Sequence, residues 1–282
     1  MFKAQVANYF GHGSNGDTLS LRLSRCRVKV IQKTDVISNK LKPNGFVPTT
    51  EIEIEGVKSF SSGEIMVNDI CRLLSLASMS QVLPFVYEFG GNQKSISVSG
   101  QSMFFRPLFT IQNGQQVKSF IEQVWVQYRK LKKTRKLPEI IEMLTISELP
   151  SQPLEVKLLQ VFVVLENIKG TYAHTKKMPF FKGYFRQLSN PPKANLAKEK
   201  ALNFKELLTF ALKDVRMKNN LHRIIRLRNE IIHFGLSRRP YTSLTKNYDS
   251  CQDLIREYLL RLLQYKGPYL IYSKASRQTG NI

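Results

Sequence analysis

The chain has 282 residues, 42% of them hydrophobic and 10% aromatic, enough to build ordinary cores and to exclude disorder as its global state. Its 43 Lys and Arg against 21 Asp and Glu give a formal charge of +22. A surplus of that size speaks about partners and not about fold; nucleic acid is the commonest polyanion to answer it, and an anionic membrane surface the next.

Residues 1 to about 60 read as strands. Leu19, Leu21 and Leu23 alternate with polar neighbours, Cys26, Val28 and Val30 continue the alternation, and 50–55 repeats the two-residue period of a half-buried strand. Lys42-Pro43-Asn44-Gly45 is a turn signal between them. The glycine-rich 11–17 lacks the lysine and hydroxyl pair of a phosphate-binding loop and reads as a flexible connection. From Gly63 the period changes, and Ile65, Ile70, Leu73, Leu74 and Ala77 predict a helix of about four turns. Strand-like segments follow at 82–89, 95–98 and 104–111.

A helix is expected over 117–131. It ends in Arg129-Lys130-Leu131-Lys132-Lys133-Thr134-Arg135-Lys136, either a solvated helix end or a phosphate-contacting patch. The proline-punctuated 138–153 reads as a joint. Beyond it, four helices are expected at 154–172, 198–215, 219–234 and 251–265, the first with Val156, Leu159, Val163 and Leu165 in a broad apolar band. The segment 175–193 interleaves basic and aromatic residues, among them Lys176, Lys177 and Lys182. That pattern suits a single RNA strand, or else an irregular loop tucking its Phe residues under a core. Lys176, Lys177 and Lys182, with Arg238 and Arg239 further on, are the candidate RNA-binding residues, and the last nine residues read as frayed. The fold class is thus α+β: a β-rich N-terminal domain over 1–112, a helical connector over 113–150, and an all-α bundle over 151–282.

No apolar run approaches the roughly 20 residues of a spanning helix, and the N-terminus reads as carrying no secretory signal, so no membrane partner is expected. Cys26, Cys71 and Cys251 are scattered and in no paired spacing, which points to a reducing cytoplasm and away from a Cys-based zinc site.

The stretch Leu227-Arg228-Asn229-Glu230-Ile231-Ile232-His233-Phe234-Gly235 sets an arginine, an asparagine and a histidine in an apolar-patterned helix that stops at a glycine. On a wheel of about 100° per residue Arg228 falls near the middle of the apolar stripe, where a guanidinium needs a carboxylate partner or an anion in a cleft. Glu166 is a candidate partner. Asn229 and His233 share a face, whereas Arg228 and His233 diverge by about 140°. They converge if the Arg side chain swings, if the helix loosens near Gly235, or if two copies of the helix each supply part of the site. A histidine can move a proton near neutral pH, an arginine can hold a phosphate, and Asn can orient either. The four histidines, His12, His174, His222 and His233, share no metal-ligand spacing, and no cofactor is expected. Metal-free phosphodiester cleavage needs an internal nucleophile, which the ribose 2′-hydroxyl supplies, so the substrate would be RNA. The alternative is an Arg and a His serving packing and capping.

Arg228-Asn229-Glu230-Ile231-Ile232-His233 resembles the Arg-(Asn/Asp/His)-x-x-x-His signature of the HEPN superfamily, the match covering roughly residues 150 to 270. A β-rich domain followed by such a bundle is similar to ApeA-type bacterial antiphage proteins, as, more weakly, are 70–77 and Tyr87-Glu88-Phe89. The resemblance implies a metal-independent ribonuclease leaving a 2′,3′-cyclic phosphate and a 5′-hydroxyl, with its site built across a homodimer. Arg228 and His233 would be catalytic and Asn229 supporting. The function expected is antiphage (abortive infection) defence, with the N-terminal domain sensing a phage-derived trigger or restraining the enzyme. The alternative is a non-catalytic HEPN module that binds nucleic acid or a partner.

Overall fold

A computed structural model describes residues 1–9, 16–33, 48–100, 106–110, 114–218, 220–235, 237–274 and 278–282. His12, most of the glycine-rich 11–17, and the turn at 42–45 lie outside the described residues.

The N-terminal part is a six-stranded antiparallel sheet. Its strands are β1 (Phe2–Ala7), β2 (Thr18–Leu23), β3 (Cys26–Gln32), β4 (Pro48–Glu55), β5 (Leu83–Phe89) and β6 (Asn92–Ser95), in spatial order β2-β3-β4-β1-β5-β6. The alternation predicted it: Leu19, Leu21, Leu23, Val28, Val30, Ile52 and Ile54 all point inward and are buried. The outer face pairs opposite charges across strands, with Lys3 Nζ 2.7 Å from Glu53 Oε1 on the neighbouring strand.

Helix α1 (Phe60–Ser78) closes the inner face. Ser59 and Ser62 cap its start reciprocally, and at 19 residues it is longer than the four turns expected. It lies close against β1, for a Cβ added at Gly63 would stand 2.2 Å from the Phe2 ring. Helix α2 (Gly114–Leu131) buries Phe120, Val124, Trp125 and Tyr128 against α1 and β2.

The chain differs from expectation in five places here. The strand predicted at 95–98 is β6, which ends at Ser95, and the described part of 104–111, residues 106–110, is not a strand. The proline-punctuated 138–153 begins with a helix, α3 (Leu137–Ile146). Pro138 sits in its first turn, where a missing N–H costs nothing, and Ile140, Ile141 and Leu144 are buried. The segment 175–193 carries most of a small antiparallel sheet, β7 (Phe180–Phe181), β8 (Tyr184–Gln187) and β9 (Lys200–Leu202), and buries Phe185 against Ala173, Leu202 and Leu207. The chain's end is not frayed in its described part: β10 (Pro268–Ile271) pairs with β11 (Gln278–Asn281).

Four helices form the C-terminal bundle as expected, α4 (Leu154–Thr175), α5 (Phe204–Asp214), α6 (His222–Phe234) and α7 (Tyr241–Leu262), but 151–282 is not all-α, because β7 to β11 lie within it. Helix α4 is central, packing against α3, α5, α6 and α7. Its buried residues include Leu158, Val161, Phe162, Val164, Leu165 and Ile168. Of the predicted apolar band only Leu165 is among them; Val156, Leu159 and Val163 are exposed. A helix apolar nearly all round buries what its own neighbours cover and leaves the rest as a stripe.

One hydrophobic cluster runs from Phe2 to Tyr269, with α2 and α3 between the sheet and the bundle. A buried polar knot ties α3 to α7. Tyr248 Oη donates to Ser147 O at 2.7 Å, and Arg256 Nη2 lies 2.5 Å from Glu148 Oε1. Among the described residues no helix is long and apolar enough to cross a membrane.

Candidate active site

Helix α6 carries the motif. Ile224, Leu227 and Ile231 are buried, whereas Ile232 is 43% exposed and Ile225 only half-buried. The buried stripe is therefore centred on Leu227 and its neighbours one turn either side, and Arg228 stands at its edge instead of its middle. The helix runs unbroken through Phe234 and ends at Gly235, whose φ of 71° is the left-handed turn glycine takes at a helix end.

Arg228 has the partner its position demanded. Its Nη2 lies 2.6 Å from Glu166 Oε1 on α4, and its Nη1 donates to Asn229 Oδ1 at 3.0 Å. The guanidinium also lies over the Phe204 ring, 4.6 Å from its centre. Lys169 shares both contacts, reaching Glu166 Oε2 at 2.7 Å and the Phe204 ring at 5.4 Å. Two cations thus face one carboxylate, leaving a net positive charge, and the buried Arg228 Nε has no hydrogen-bond partner among the described residues. The guanidinium carries five N–H groups and its Nη atoms make one bond each, to Asn229 and Glu166, so Nη hydrogens remain for a phosphate oxygen.

His233 stands apart. It is exposed in the last turn of α6, and on a regular helix it lies about 140° round the axis and about 7.5 Å along it from Arg228. A single chain does not bring the two together. The neighbours that share His233's face are His222, Arg226 and Asn229, spaced eleven, seven and four residues before it, and all of them are exposed.

The predicted RNA-binding residues are dispersed. Lys176 ends α4, ten residues or about 15 Å beyond Glu166, and pairs with Asp214 Oδ1 at 2.6 Å. Lys177 and Lys182 are exposed in left-handed turn positions, Lys182 over the Phe181 ring at 5.6 Å. Arg239 folds back on α6, its Nε 2.8 Å from Glu230 Oε2, and Arg238 is exposed. Ser237 also donates to Glu230, and these bonds hold the Glu230 carboxyl below its ordinary range. In the basic 129–136, Lys132 Nζ lies 2.7 Å from the Asp69 carboxylate and Arg135 3.4 Å from Asp214, so both serve the fold.

Sequence reasoning missed Lys169 and Phe204 beside Arg228. It also missed Arg223 and Arg226, which line a cleft of about 810 Å³ between α6, α7 and β10. The signal for Arg226 was its seven-residue spacing to His233, two helical turns. Among the described residues no group of three or more His, Cys, Asp or Glu is placed to share a metal ion.

Comparison of the chain with protein-family models, with curated proteins and with solved structures found no match.

Proposed function

We propose that the chain is a metal-independent endoribonuclease of the HEPN type whose active site is completed by a second copy of itself. The observation that carries the proposal is the division of labour on α6. Arg228 is oriented toward one side by Glu166, and His233 is exposed on another, on the two ends of a motif that resembles the HEPN signature. In the reaction the ribose 2′-oxygen attacks the adjacent phosphorus, the 5′-oxygen leaves with a proton, and a 2′,3′-cyclic phosphate and a 5′-hydroxyl result. Arg228 of one copy holds the phosphate and offsets its developing charge, His233 of the other moves the proton, and Asn229 orients the guanidinium.

A second copy has a surface to meet. Leu159, Val163 and Glu166 recur on one face of α4, with Val156 beside them, so the exposed apolar stripe leads to the Arg228–Glu166 pair, and the exposed Ile232 extends from the α6 side. A stripe joined to a half-built site is what a two-fold interface would cover. On this reading residues 1–112 form a sensor or restraint, 113–150 the connector and 151–282 the ribonuclease bundle, working in the bacterial cytoplasm in abortive infection once a phage-derived trigger is met.

The opposing reading, a non-catalytic nucleic-acid- or partner-binding module, has its own support: Glu166 neutralises Arg228 within the chain, as a structural pair would. RNA cleavage by wild type, Arg228→Ala and His233→Ala in EDTA separates the two. The ribonuclease reading expects cutting by wild type alone, with cyclic-phosphate ends. Cutting that survives both substitutions, or that stops in EDTA, would sink the mechanism.

A further inference from the structure

We infer that the cleft between α6, α7 and β10 is the channel in which the RNA strand lies on its way to His233. The inference rests on the ribonuclease reading for the identity of its ligand and on the cleft itself for its charge.

The cleft, of about 810 Å³, is lined by Arg223 and Arg226 of α6, Lys246 of α7 and Lys274 after β10. All four are exposed, and none is in an ion pair among the described residues. The acids that share the lining are already engaged. Asp253 Oδ2 accepts the backbone N–H groups of Tyr272 at 2.9 Å and Ser273 at 2.7 Å, and Glu257 Oε1 holds Arg261 at 2.8 Å. What remains open to solvent is a row of uncommitted cations, while the two carboxylates that share the lining, Asp253 and Glu257, each already face an arginine of α7. That is the electrostatic form of a phosphate track.

Two further features set its direction. At one end is the start of α6, where Asn220 Oδ1 accepts the His222 N–H at 3.1 Å and the helix dipole adds positive potential. At the other is Arg239, pinned to Glu230 one turn short of His233. Arg226 and His233, two turns apart on one face, place the track and the proton-transferring residue on the same side of the helix. Flanking the α6–α7 connection, Phe234 is 78% and Tyr241 73% exposed, large aromatic surfaces of the kind on which unpaired bases stack. A duplex offers no bases to them, so the ligand is a single strand.

The test is fluorescence anisotropy with a fluorescein-labelled single-stranded oligouridylate, on the full chain carrying His233→Ala so that the probe survives. Arg223→Glu/Arg226→Glu should weaken binding by about tenfold or more and make the salt dependence shallower by about 0.7 in log–log slope for each phosphate no longer neutralised. Lys246→Glu, on a different helix, should act in the same direction and guards against a folding artefact on α6. Arg25→Glu/Lys58→Glu removes two exposed cations near the sheet and should cost no more than about threefold. Equal affinity of the cleft variants and their parent, or an equal loss from the control, overturns the channel. If the cleft variants keep their affinity while His233→Ala abolishes cutting, the channel falls and the nuclease stands. If they lose affinity while Arg228→Ala and His233→Ala cut RNA as wild type does, the nuclease mechanism falls and the channel stands.

Discussion

Glu166 on α4 and Arg228 on α6 meet at 2.6 Å, and Lys169 joins the same carboxylate from one turn along α4. The carboxylate thus orients the arginine while leaving the surroundings net positive. Glu166→Gln keeps the shape and removes the charge. With the two partners 21% and 35% exposed, the pair stabilises the fold by no more than about 1 kcal/mol. The predicted result is a nearly unchanged melting temperature with tighter RNA binding and a salt slope steeper by about 0.7. Anisotropy at several salt concentrations measures it, and unchanged affinity would mean that Arg228 faces no phosphate.

The exposed stripe on α4 predicts self-association. Leu159→Asp/Val163→Asp puts charges at two positions that are 41% and 37% exposed, outside the buried core, so the fold should survive. Sedimentation velocity should show a dimeric wild type and a monomeric variant, the latter inactive on RNA. A variant that stays dimeric would move the interface elsewhere.

Glu148 and Arg256 make the opposite case, a pair sealed in the core at 4% and 0% exposure. Glu148→Ala leaves a buried guanidinium without its nearest counter-charge and should cost about 3–5 kcal/mol. Urea unfolding checks this; a loss below about 1 kcal/mol, of the order of a surface pair, would show that water reaches Arg256.

At the end of α6, Ser237 and Arg239 hold the Glu230 carboxyl below its ordinary range. Because the folded value is the lower one, the stability this clasp contributes is complete above the unfolded carboxylate range. It is lost as pH falls through the folded value. Hydrogen-exchange protection of the Arg239 amide, which donates to Ser237 Oγ at 3.2 Å, taken relative to the intrinsic rate at each pH, should therefore persist to pH values below the ordinary titration of a glutamate and fall in stronger acid. In Glu230→Gln it should be low already at neutral pH.

Much of this architecture was legible where the periodicity is long. The alternation of Leu19, Leu21 and Leu23 and the spacing of Leu254, Tyr258, Leu259 and Leu262 report burial directly. Glu166 could be named as a partner because a lone arginine beside an apolar stripe requires one. Short elements were not legible: β7 has two residues and β9 three, too few to show a period, and β10 with β11 looked like tail. Helix α7 begins at Tyr241, ten residues before its predicted start, because Thr242, Ser243, Thr245 and Asn247 make its first turns polar. Apolar pattern also cannot tell which side of an all-round apolar helix is covered, so Val156, Leu159 and Val163 were placed in the apolar band and are exposed. The basic cleft draws on residues from 223 to 274, and only the fold makes them neighbours.

The central claim, a site shared between two copies, is tested most directly by mixing two inactive chains. Arg228→Ala and His233→Ala are unfolded together, refolded together and assayed for RNA cleavage. If one copy supplies the arginine and the other the histidine, half the dimers are mixed and each carries one intact site of two, so activity should return to about a quarter of wild type. A mixture as inactive as its two components, with mixed dimers shown to have formed, would contradict the account.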